Sequence, residues 1–219
     1  MIKDTAYDFQ DVHQTDGDLV VAFYGRSTLF HFLGKKDRVE YADSIIKALI
    51  KYSPREIIDI VKPVFRPFVI QKKDVPQFSD LLTTFRIPSI LKNCGLVGVG
   101  YEQMGYMLRT EKRKAVADMK YGENHMKTAE QMGLCDIIHY KAYPNDIGNC
   151  FLSLDKESQT KLIPHFCLSI PFMQNYFMTG MNEETIKEMM SILSESTIKR
   201  RLTNVNKLIS TIKASIDGV

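Results

Sequence analysis

Six apolar residues near the C-terminus, Ile198, Leu202, Val205, Ile209, Ile212 and Ile216, recur at spacings of four, three, four, three and four. Only a helix puts such a series on one face, so the chain must end in a long amphipathic helix whose stripe is buried or paired. Ser194 stands before the stripe as an N-cap, since its hydroxyl can accept from the free N–H groups of the first turn. Glu195 follows where the positive helix end favours a carboxylate. The opposite face carries Ser196, Lys199, Arg200, Thr203, Asn204, Lys207 and Thr211, none of them acidic. Such a face has the chemistry to meet phosphates and base edges. The same stripe also fits a short coiled-coil seam, so pairing with a second copy as a homodimer is the competing reading.

The chain ahead of this helix divides into three stretches. Residues 1–84 read as a helical region with a short strand: an Asp-rich arm over 1–18, a strand at Leu19–Tyr24, and a helix over Arg38–Tyr52. Ser53-Pro54 then stops that helix and caps the next, with Pro54 at the first helical position. Phe65–Ile70 reads as a short extended piece between prolines. Residues 85–178 open with a helix from Pro88 to Gly95, followed by a glycine-punctuated segment, Leu96–Leu108. Met126, Ala129 and Met132 mark a helical face that ends at Gly133, a C-cap glycine. Strands are predicted at Cys135–Tyr140 and Asn149–Leu154, joined by a polar hairpin over 141–149. A helix over Lys156–Phe166 is predicted to break near Pro164, and another to restart after Pro171. Residues 179–219 hold an Asn182-capped helix over Glu183–Met190 and the basic helix. The fold class is therefore mainly α with short β hairpins, α+β overall.

The 219 residues are 44% hydrophobic and 25% charged, which is enough to bury a core without metal or disulfide support. Lys and Arg number 29 against 26 Asp and Glu, so a cationic footprint must come from clustering. Cys94, Cys135, Cys150 and Cys167 show no CxxC pair and read as reduced thiols of a cytoplasmic protein. The longest apolar runs are too short to span a bilayer, and the first residues lack the apolar core of a signal peptide. No membrane association and no cofactor are expected.

The order helix, Gly133-Leu134, strand, polar hairpin and strand closing in Ser153-Leu154-Asp155 resembles the winged-helix units of bacterial DNA-binding proteins. It is similar in style to the DNA-recognition halves of type IIS restriction endonucleases, over residues 85–216. Ser194, Thr197, Ile198, Arg201 and Leu202 also resemble the S-x-x-T-[VI]-x-x-R-L start of a helix-turn-helix recognition helix. Upstream, Glu188 stands where that motif has a small residue and Ile192 where it has glycine. The resemblance implies double-stranded DNA as the partner, read for a restriction-type system or by a transcriptional regulator. Arg200 would then pair with guanine, Asn204 with adenine, and Lys199 and Lys207 with phosphate, alongside Ser194, Ser196, Thr197, Arg201 and Thr203 as outward DNA-contacting residues. Lys120, Tyr121, Asn124 and Lys127 form a second candidate surface.

Catalytic signatures are sparse. The strand at Asp136 carries no acidic-x-Lys, Glu123-Asn124-His125 lacks the partner residues of an HNH nuclease, and Gly-x-Ser-x-Gly does not occur. A divergent metal-dependent nuclease would have to draw its carboxylates from Asp8, Asp11, Asp16 and Asp18. The alternatives to DNA binding are thus helical assembly through the C-terminal stripe, and such a nuclease.

Overall fold

The computed structural model describes residues 15–26, 33–109 and 114–217. Asp8, Asp11 and most of the N-terminal arm lie outside them. Helices dominate, joined by one small antiparallel sheet. The first described element corrects the sequence reading. Leu19–Tyr24 is not a strand but the body of helix α1 (Asp16–Tyr24). Thr15 and Asp18 build a reciprocal capping box that starts it, with Asp18 N–H donating to Thr15 Oγ1 at 3.2 Å. Leu19, Val20, Ala22 and Tyr24 are all buried, and a run buried nearly all round shows no helical period in sequence.

Helix α2 (Lys35–Lys51) and α3 (Pro54–Val61) meet at Ser53, which caps α3 with Glu56 in a second capping box, and Pro54 takes the first helical position. Phe65–Ile70 runs without strand pairing. Short α4 (Leu81–Thr84) leads to α5 (Ile87–Cys94), which ends at Gly95 with φ +65°. Then follow β1 (Val99–Gly100), α6 (Tyr101–Leu108), α7 (Ala115–Gln131), β2 (Asp136–Ile138) and β3 (Lys141–Tyr143). Helix α7 closes in a Schellman motif: Gly133 has φ +77°, and Leu134 N–H donates to Ala129 O at 2.9 Å.

The sheet order is β1-β3-β2, with Val99 opposite Ala142 and Ile137 opposite the same residue on the other side. The turn between β2 and β3 is His139–Tyr140, both at positive φ. This corrects the hairpin expected over 141–149 and the strand expected at 149–154. Asn145 instead caps helix α8 (Asp146–Ser153), accepting from Gly148 N–H at 2.8 Å. Ile147 and Phe151 are then spaced to share its buried face.

Helix α9 (Lys156–Leu168) passes through Pro164 without a break. Its C-terminal half is buried, and Phe166 gathers Phe23, Phe85 and Phe151 at ring distances of 6.1, 6.3 and 5.4 Å. Edge and tilted ring pairs of this kind add about 0.5–1.5 kcal/mol each beyond their burial. They tie α1, the end of α4 and α8 to one central helix. Helices α10 (Pro171–Met178) and α11 (Glu183–Met190) follow, the latter capped by Asn182 as expected. Helix α12 (Glu195–Ile216) packs on α9 and α3, and buries Val205, Leu208, Ile209 and Ile212. Of the C-terminal stripe, Val205, Ile209 and Ile212 are buried in the chain's own core, Ile198 and Ile216 are half-buried, and Leu202 is exposed. Buried side chains from Leu19 to Ile212 form one continuous cluster.

Candidate nucleic-acid interface

Helix α7 is positioned by glycines. A Cβ on Gly122 would stand 1.9 Å from Tyr101 O, and one on Gly105 would stand 1.8 Å from Asp118 O. Backbones of α6 and α7 thus touch with no side-chain layer between them. Arg109 Nη1 donates to Asp118 Oδ1 at 3.0 Å, a pair largely withdrawn from solvent, and its guanidinium lies 4.2 Å from the Tyr121 ring centre. Tyr121 also accepts from Ser79 Oγ at 3.1 Å. It is half-buried and engaged inward, so it is a packing residue, not part of an outward face.

His125 lies fully buried one turn further on. Its Nδ1 is 2.8 Å from Thr84 Oγ1, and its Nε2 is 3.0 Å from Ser79 Oγ and 3.5 Å from Ser79 N. The ring is held between these two hydroxyls, its donor and acceptor roles set by its tautomer. Burial pushes its pKa down to about 4; Asp80 works against that shift and Arg109 with it. His125 is a buried cross-link between the 79–84 segment and α7.

On α7, Lys120 is exposed, and Glu123, Asn124 and Lys127 are half-buried. Glu123 accepts from Lys120 Nζ at 2.8 Å and from Lys127 Nζ at 2.6 Å. On α12, Ser196, Lys199, Arg200 and Thr203 are exposed, Lys207 is exposed, and Asn204 is half-buried. Lys199 meets Glu195 at 3.3 Å, and Lys207 meets Asp80 at 3.5 Å. Exposed pairs of this kind hold their cations only weakly.

Ser194 begins α12, as the sequence implies, but not through its side chain. Its carbonyl accepts from Thr197 N–H and Ile198 N–H at 2.9 Å each, while its hydroxyl meets Thr197 Oγ1 at 2.9 Å. Thr197 is thus occupied within the cap. Arg201 departs furthest from its expected role. It lies four residues before buried Val205, so it continues the inner stripe. Its Nη1 donates to Lys72 O at 2.7 Å and to Val75 O at 2.8 Å. Desolvation, then neighbouring Arg200, lowers its pKa, and its Nε is buried without a partner.

The segment from Lys72 to Gln77, which sequence reasoning passed over, joins the two candidate surfaces. Arg201 holds it from α12. From α7, Gln131 Nε2 donates to Lys73 O at 3.1 Å and Thr128 Oγ1 to Gln77 O at 3.3 Å. Lys73, Lys120, Asn124, Lys127 and Arg201 line one small groove beside it. The Lys72-Lys73 pair was the available signal, but nothing local in the sequence says which helices it faces.

Among the described residues, no group of three or more His, Cys, Asp or Glu side chains is arranged to hold a metal ion. Asp16 and Asp18 serve ionic and capping roles, with Lys51 and Thr15. Cys135 and Cys167 are buried, and burial raises both thiols well above their ordinary pKa. No helix among the described residues is long and apolar enough to cross a membrane. No family model matches the chain, and no curated protein or solved structure matches it.

Proposed function

We propose that the protein binds double-stranded DNA through the surface shared by α7, the Lys72–Gln77 segment and α12. The observation that carries this reading is convergence: cations from segments more than a hundred residues apart, Lys73, Lys120, Lys127 and Arg201, come to one face. Exposed Lys199, Arg200 and Lys207 on α12 extend the supply of cations for phosphates.

Topology supports a winged-helix unit, placed differently from the sequence expectation. From α5 the order is helix, strand, helix, helix, strand, strand, with sheet order β1-β3-β2. In that arrangement α7 is the groove-reading helix and the His139–Tyr140 turn is the wing. Helix α12 then contributes phosphate contacts from Lys199, Arg200 and Lys207, with Ser196, Thr203 and Asn204 beside them. The role is recognition, in a regulator or in a restriction-type system.

Duplex affinity measured across salt concentration tests the reading. Removing one cation that meets a phosphate should reduce the log–log salt slope by about 0.9. The combined Lys199→Ala, Arg200→Ala and Lys207→Ala variant is expected to show up to three such steps. An unchanged slope and affinity would overturn the proposal.

A further inference from the structure

We infer that the groove between α7, the Lys72–Gln77 segment and Arg201 takes a single phosphate group, and that the Glu123 carboxylate holds its cations until the phosphate arrives. This rests on the nucleic-acid reading for a phosphodiester source, and stands without it for a free phosphate.

The groove has a volume of about 50 Å³. About 10–15 Å³ of such volume admits one water, so the groove has room for a few waters or for one small oxyanion. Its donors are of the kind oxyanions take: the Lys73, Lys120 and Lys127 ammonium groups, the Asn124 and Gln131 amides, and the Arg201 guanidinium. The floor is built rather than accidental. Arg201, Gln131 and Thr128 fix the Lys72–Gln77 backbone from two helices. Arg201 also brings a buried Nε–H that has no acceptor. A buried donor without a partner is costly, so this end of Arg201 is held in place by its other bonds.

Glu123 bridges Lys120 and Lys127 with its two oxygens, as a phosphate would. Those two lysines, in turn, hold its carboxyl below the usual range against the opposing effect of burial. An incoming phosphate competes with an internal carboxylate, so removing that charge should strengthen binding.

The full chain is titrated with inorganic phosphate at constant ionic strength, followed by thermal stabilisation and by side-chain NMR of lysine. Duplex binding is measured in parallel. Glu123→Gln is expected to bind phosphate about two- to fivefold more tightly, the range of an exposed ion pair. Lys73→Ala and Lys127→Ala are expected to weaken it about tenfold each, the loss of one charge-assisted hydrogen bond. If these variants change both phosphate and duplex affinity, the source is a phosphodiester; if phosphate alone, the ligand is a free phosphate. If neither ligand's affinity moves in any of the three, the groove proposal falls. The α12 triple variant, which leaves the groove intact, reports on the duplex reading separately.

Discussion

Acidification should unlock α7 through a single buried ring. His125 has an ordinary pKa of 6.5 that burial lowers to about 4 in the folded chain. Between these values the unfolded chain binds a proton that the folded chain refuses. The stabilising contribution of the neutral ring is therefore complete above pH 6.5 and is lost as pH falls through that window toward 4. The full difference corresponds to about 3.4 kcal/mol, and about 2 kcal/mol of it is gone by about pH 5. Protonation also makes both ring nitrogens donors, so whichever nitrogen accepts in the neutral ring loses its bond. The assay is urea unfolding of the protein and of His125→Gln at about pH 7.5 and about pH 5. Gln cannot titrate, so subtracting its pH dependence removes every other carboxylate and histidine. The protein should lose about 2 kcal/mol more than the variant over this range. Parallel pH dependence in the two proteins would refute the reasoning.

Two further predictions concern how the interface is mounted. Gly122→Ala places a methyl 1.9 Å from Tyr101 O and 2.6 Å from Gly105 N. Backbone must move to admit it, so urea unfolding should show a loss of about 3 kcal/mol or more; a change under about 0.5 kcal/mol would contradict the contact. Arg201→Ala removes both donors to Lys72 O and Val75 O, so hydrogen exchange should rise across residues 71–77 while α9 stays protected. Unchanged exchange in that segment would mean that Arg201 does not hold it.

What could be read from the sequence follows the range of the interactions involved. Ser53-Pro54, Asn182 and Gly133 act within four residues of themselves, and their helix boundaries stand where the sequence puts them. The α-rich α+β class follows from such local signals. Leu19–Tyr24 misled because burial on several sides erases the period that separates helix from strand, whereas Asn149–Leu154, with only Phe151 buried, is too short to show a period. For the candidate site, the exposed positions of α12 follow from its stripe. Arg201 does not, since a motif match put it outside while the stripe itself carries it inward. Tyr121 and His125 owe their positions to Ser79 and Thr84, some forty residues earlier, and no local pattern encodes that pairing.

The glycine contact between α6 and α7 also bears on how such a surface can change over time. Because Gly105 and Gly122 fix the helix pair through main chain alone, the mount does not depend on which side chains occupy the other face of α7. Positions 120, 124 and 127 can be exchanged with little structural consequence, whereas positions 105 and 122 tolerate almost nothing. The fold thereby separates an invariable bearing from replaceable teeth, and on the proposed DNA-binding reading a new specificity could be reached by substitution at the teeth alone.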